Sequence, residues 1–164
     1  MKNILKFAFF AIIICSFYGC PSGLDFPLAE PGKEKIDENI LGVWKNNDPE
    51  TEIQKVEISK KDDFSYSLKV LEKGELYALE TDNFTGWNTT LEGKKFIFFK
   101  AENDEQYYHY VIKELKGKKM IICDLSLLDQ GKEAVNSIET LKKEVISSMQ
   151  MPEFWVESEH WIKE

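Results

Sequence analysis

The sequence predicts a mainly β domain, an antiparallel meander curling into a barrel or sandwich, with one amphipathic helix before the last strand. Three observations predict it. Phe64, Tyr66, Leu68 and Val70 alternate with Ser65, Ser67 and Lys69, and a half-buried strand turns successive side chains to opposite faces, which gives this period of two. Turn-forming clusters recur at Lys61-Asp62-Asp63, Glu72-Lys73-Gly74, Glu92-Gly93-Lys94 and Lys116-Gly117-Lys118, where polar residues and glycine let a strand reverse tightly. Between residues 134 and 149 the period changes. Ile138, Leu141, Val145, Ile146 and Met149 recur at helical spacing, with Glu139, Lys142, Lys143 and Glu144 on the other surface.

The elements follow in order. Residues 36–39 read as a short helical turn, and strands are predicted over 42–46, 53–60, 64–70, 76–84, 95–100, 106–115 and 119–126. The helix stops before Pro152, whose ring excludes a helix interior, and an aromatic-rich strand over 154–162 closes the domain. This makes seven strands ahead of the helix and one domain over 38–164. Before it, residues 21–37 carry Pro21, Pro27 and Pro31, two glycines and mixed charges without a sustained period, so 20–37 reads as a flexible tether, able to span a few nanometres at ~3.3 Å per residue.

The first nineteen residues have a separate logic. Lys2 and Lys6 precede an apolar run from Phe7 to Phe17, the length of a signal-peptide core and short of the ~20 residues that span a bilayer. The run ends Phe17-Tyr18-Gly19-Cys20. This ending resembles the lipobox of bacterial lipoproteins, although Phe17 stands where the common form has Leu and Tyr18 where it has a small residue. The resemblance implies removal of residues 1–19, attachment of diacylglycerol and fatty acid such as palmitate to Cys20, and a membrane as the first partner. Two or more acyl chains anchor stably, because each buried methylene contributes about 0.8 kcal/mol. The address implied is the bacterial cell envelope.

A second resemblance lies at Gly42-Val43-Trp44, which is similar to the Gly-x-Trp that opens the first strand of lipocalins and related calycins after a short helical turn. It implies a lipocalin-like barrel with Gly42 and Trp44 as structural residues at its floor. Two features depart from that family: it usually packs an arginine from a late strand over the tryptophan, and it has eight strands before the helix.

Charge and composition bound the function. Without Lys2 and Lys6 the 21 basic residues fall to 19, against 29 acidic ones, a net of −10. Such a surface repels nucleic acid and anionic headgroups. The chain has no arginine, which rules out guanidinium recognition of phosphate. The acidic residues are scattered and read as a solvated outer surface. His109 and His160 lack a metal-ligand spacing. Cys123, if opposite Val111 on a hairpin centred on Gly117, sits diagonal to His109 at a separation of ~7–8 Å, with Ile121 and Leu125 on its own face, an inert setting for a thiol. No metal, cofactor or catalytic residue is therefore expected, and the chain does not read as an enzyme. Tyr66, Tyr108 and Tyr110 lie in phase with apolar neighbours and combine apolar bodies with polar tips. They are the candidate ligand-facing residues. The expected function is a membrane-anchored, non-enzymatic binding module for a small apolar or amphipathic ligand or an envelope protein. The alternative is a structural or inhibitor-type envelope protein with a packed lumen.

Overall fold

A computed structural model describes residues 23–48, 50–75, 77, 81–125, 127–156 and 158–164. The signal and Cys20 lie outside the described residues. Eight antiparallel strands form a closed barrel: β1 (Gly42–Asn46), β2 (Ile53–Lys60), β3 (Tyr66–Lys73), β4 (Asn83–Leu91), β5 (Lys94–Ala101), β6 (Tyr107–Lys116), β7 (Lys119–Asp124) and β8 (Glu159–Lys163). Each strand pairs with the next, and β8 closes the cylinder by pairing Trp161 with Asn46 and Lys163 with Trp44. The eighth strand thus comes after the helix, not before it.

Two predicted strands are displaced. The strand read over 76–84 runs instead over Asn83–Leu91; Gly74, Glu75, Tyr77, Thr81 and Asp82 are not in a strand, and residues 76 and 78–80 lie outside the described residues. Gly86, Asn88, Thr89 and Thr90 give β4 little of the apolar alternation that marks the other strands. Yet Gly86 is required inside the strand: a Cβ there would stand 2.4 Å from the Phe99 ring. The strand read over 154–162 begins only at Glu159, since Pro152–Trp155 form a 3-10 turn. The short turn before β1 is a 3-10 turn over Glu38–Ile40, capped by Asp37.

Alternation divides the barrel into two apolar clusters. Facing in are Ile40, Trp44, Val56, Ile58, Tyr66, Leu68, Ile97, Phe99, Ile112, Met120, Ile122 and Trp161, among others. On the outer side of β5–β7, Phe96, Phe98, Val111 and Cys123 are also buried. Helix α1 (Ile138–Ser148) covers them with Leu141 and Val145. It starts at a reciprocal cap in which the Ser137 hydroxyl accepts from Thr140 N and Thr140 Oγ1 accepts from Ser137 N, satisfying helix-end donors that would otherwise be orphaned.

The stretch read as a flexible tether also belongs to this outer layer. Leu24 and Leu28 are buried in the same cluster, and Leu24 exchanges two backbone hydrogen bonds with Tyr107, at 2.8 and 2.9 Å. Further on, Glu34 accepts from Thr89 and Thr90 near the end of β4. Residues 23–37 are therefore a strap on the barrel wall, and the packed domain begins by Gly23, not residue 38. The strap escapes a sequence reading because its two buried leucines sit among prolines and charges without a period.

At one end the barrel is sealed. Trp44 is fully buried and its indole donates to Ile40 O at 2.7 Å. Lys163 places its ammonium 4.8 Å from the Trp44 ring centroid and donates to Asn39 O at 2.8 Å. A lysine of the last strand thus occupies the role for which the resemblance implied an arginine. Gly42, at φ +134°, leaves the space it needs, since a Cβ there would meet Lys163 Cε at 3.2 Å.

Trp44→Ala is expected to cost about 3–5 kcal/mol, as emptying a filled aromatic site does, and Leu28→Ala about 2–5 kcal/mol. Urea unfolding measures both, and a loss below about 0.5 kcal/mol at Leu28, the range of uncoupled surface changes, would return the strap to a free tether.

Candidate functional site

The other end is open. Strands β1, β3, β5 and β7 run towards one end and their partners run back from it, so the loops 47–52, 74–82 and 102–106 and the long connection 125–158 gather there. Below them lies a cavity of about 590 Å³, within the range of small-molecule pockets, roughly 300–1,000 Å³. Its walls are apolar: Ile53, Val56, Ile58, Leu68, Phe84, Ile97, Phe99, Met120, Ile122 and Trp161. The lumen is filled at the Trp44 end and hollow at the mouth.

Two of the three candidate tyrosines reach this cavity. Tyr108 and Tyr110 line it, as their phase with Ile112 requires. The Tyr108 hydroxyl donates to Asp104 Oδ2 at 2.9 Å, and its ring meets Phe84 edge-on. Tyr110 packs its ring edge-on to Phe99. Burial pushes both phenols above their ordinary range, with Asp104 adding to the effect at Tyr108 and Asp124 at Tyr110, so both stay protonated donors at any physiological pH. Tyr66 is placed differently. Its hydroxyl accepts from Asp37 N at 2.6 Å and donates to Asn88 Oδ1 at 3.1 Å; it is fully buried beside the sealed end, where it braces the turn before β1. It is a floor residue and not a ligand contact. Of the tryptophans, Trp161 lines the cavity, while Trp87 and Trp155 pack in the outer cluster.

The acidic residues were read as solvated outer surface, and for three of them the structure differs: Glu52, Asp124 and Glu159 are half-buried and line the cavity, while Asp48 and Glu50 also border it but are exposed. Among the described residues no lysine lines it. Asp124 faces in because it is in phase with Met120 and Ile122 and pairs across to Tyr110. Glu159 pairs with Ile122 and stands two residues before Trp161. Those phases are visible in the sequence, but a carboxylate ending a strand is read by default as exposed. Glu159 accepts from the Trp161 indole at 3.0 Å. Even so, burial, reinforced by Asp124, Glu52 and Asp48, raises its carboxyl to about 7. Burial and Asp124 also raise Glu52. The carboxylates are spread around the mouth: among the described residues no three acidic, histidine or cysteine side chains converge as metal ligands would.

Cys123 and His109 point away from the cavity. Cys123 is opposite Val111 in the outer cluster, buried, with Sγ 3.3 Å from Ser158 Oγ. His109 stacks on Phe98 at 5.8 Å, and burial lowers its imidazole to about 4. With these features described, comparison with known proteins places the chain beside none of them: no family model, curated protein or solved structure matches it.

Two titratable groups, the buried His109 and the half-buried Glu159, pull stability in opposite directions with pH. For His109, the unfolded chain takes up the proton first as pH falls below about 6.5, so stability is lost from there down to about pH 4, a total of about 3 kcal/mol. For Glu159, the folded chain keeps a proton that the unfolded chain releases above about 4.5. Its contribution is thus complete below 4.5 and lost as pH rises through about 7, again about 3 kcal/mol. Urea unfolding from pH 4 to 8 should therefore find Glu159→Gln more stable than wild type above pH 7, and His109→Phe flatter on the acid side. Unchanged stability of Glu159→Gln at pH 8 would show that Glu159 is well solvated in the mouth.

Proposed function

We propose that this protein is a lipid-anchored, non-enzymatic binding protein of the bacterial cell envelope, carrying a small amphipathic molecule in a lipocalin-like barrel. The observation that carries the binding reading is the cavity itself: a hollow with apolar walls, two protonated tyrosines and five carboxylates at its mouth. Apolar walls favour an apolar body through the roughly 25 cal/mol per Å² of surface removed from water. Carboxylates without a lysine among the lining favour a positively charged or amine-bearing head over an anionic one, since charge complementarity discriminates between ligands of equal apolarity. The only free thiol and the only buried histidine among the described residues lie on the far side of the barrel wall, which supports carriage and not reaction. The anchor rests on the signal-like first nineteen residues and on Cys20, whose lipobox-like context supports acylation.

The test uses two environment-sensitive amphipathic dyes of similar size and opposite charge. The cationic dye is expected to bind saturably and at least about tenfold more tightly than the anionic one at low ionic strength, a difference of ~1.4 kcal/mol, and the advantage should shrink with salt. Tyr110→Ala should weaken both dyes, while Glu52→Gln should narrow the gap between them. If neither dye saturates on the folded protein, the cavity is not a ligand site and the structural reading of the barrel takes its place. Uptake of labelled fatty acid, lost in Cys20→Ala, checks the anchor independently.

A further inference from the structure

The strap determines which end of the barrel its upstream chain leaves from. Leu24 is fastened to Tyr107, the first residue of β6 and the neighbour of the cavity-lining Tyr108. Gly23 is pressed against the loop that precedes β6: a Cβ on it would stand 2.5 Å from Gln106 Cβ. From there the strap descends. Leu28 is buried on the wall, Glu34 holds Thr89 and Thr90 near the far end of β4, and Asp37 meets Tyr66 at the sealed end. The chain thus enters the domain beside the mouth and crosses to the floor before β1 begins.

Cys20 lies three residues before Gly23, so the lipid attachment point stays within about 11 Å of the mouth loops even with the chain fully extended. Strands of eight to ten residues, tilted as in closed barrels, separate mouth from floor by roughly 20 Å. The leash cannot reach the floor. Among the described residues the exposed large apolar side chains favour neither end: Leu71 and Leu127 lie towards the mouth, Phe64 and Ile162 towards the floor, and Val156 follows Trp155, which packs beside Lys94 and Lys113 on the outer wall.

We infer that the anchored protein faces the membrane with its open end, so that the cavity exchanges its ligand at the lipid surface and the sealed Trp44 end points away. The inference rests on lipid attachment at Cys20, proposed above. It changes the meaning of the segment before β1, which is a short leash that orients the barrel and not a spacer that lifts it clear.

The experiment uses full-length, processed protein bound to phosphatidylcholine vesicles that contain a lipid with a nitroxide on its headgroup. A fluorophore is placed either at the mouth, on Asn103→Cys, or at the floor turn, on Lys118→Cys; both positions are exposed, and the buried Cys123 stays unlabelled. Quenching is expected to be several times stronger at 103 than at 118. Inserting twenty Gly and Ser residues after Ser22 should bring the two values together by freeing the leash. Equal quenching in the unmodified protein, or stronger quenching at 118, would overturn the orientation while leaving the anchor in place. A difference that survives the insertion would overturn the leash as its cause. Protein that carries acyl chains and binds vesicles only when Cys20 is present separates these outcomes from failure of the anchor, in which case the orientation falls with it.

Discussion

A barrel exists only if its first and last strands meet, and here they are 112 residues of chain apart, from Asn46 to Glu159. Backbone pairing joins them, and at the sealed end the Lys163 side chain reinforces the seam: its stem crosses Gly42, its ammonium lies over Trp44 and it donates to the carbonyl of Asn39. One side chain thereby ties β8 to β1 and to the 3-10 turn that closes the floor. The use of lysine has a cost in specificity. An ammonium is a compact point charge without the planar fork of a guanidinium, so it makes the cation–π contact and one hydrogen bond to Asn39, and its position depends on the groove that glycine leaves open at residue 42.

Closure at the floor leaves the sheet with a second demand. Strands β5 to β7 are apolar on both faces, so the barrel carries a greasy outer wall as well as a lumen. Helix α1 covers part of it, and the strap covers the part nearest the mouth. Each buried leucine of this layer contributes ~1.5–3 kcal/mol, beside the backbone bonds of Leu24 to Tyr107 and the Glu34 contacts that fasten the strap. His109 and Cys123 are explained by the same layer. Between aromatic rings and under a helix, an imidazole stays neutral and a thiol stays out of reach of solvent.

The mouth obeys the opposite rule. There Asp124 and Glu159 at inward strand ends, and Glu52 just before β2, are half-buried because the cavity behind them is hollow instead of packed. Loss of hydration, and then their mutual repulsion, raises Glu159 and Glu52. A group of like charges around an apolar hollow is an arrangement that stability alone does not favour. The ligand of the proposed function, with an apolar body and a positive head, would relieve it.

The sequence by itself determined the strand periodicity, the amphipathic helix and the inward phase of Tyr108 and Tyr110, because these depend on neighbours two to four residues away. It also located Cys123 opposite Val111, since a hairpin register follows from its turn. The displaced β4, the strap, Lys163 over Trp44 and the acidic mouth were decided by tertiary structure. Gly86 has no side chain to mark a strand, and its place in β4 is explained only by the Phe99 ring that lies over it. Leu24 and Leu28 have no periodic signal because they pack as single anchors on a wall built from strands far along the chain. Tyr66 looked like a ligand residue from its phase, and only the position of Asp37 and Asn88 at the sealed end spent its hydroxyl on structure. The carboxylates follow the same principle: alternation says which way a side chain points, but only the closed cylinder decides whether that direction leads into packed core or open cavity.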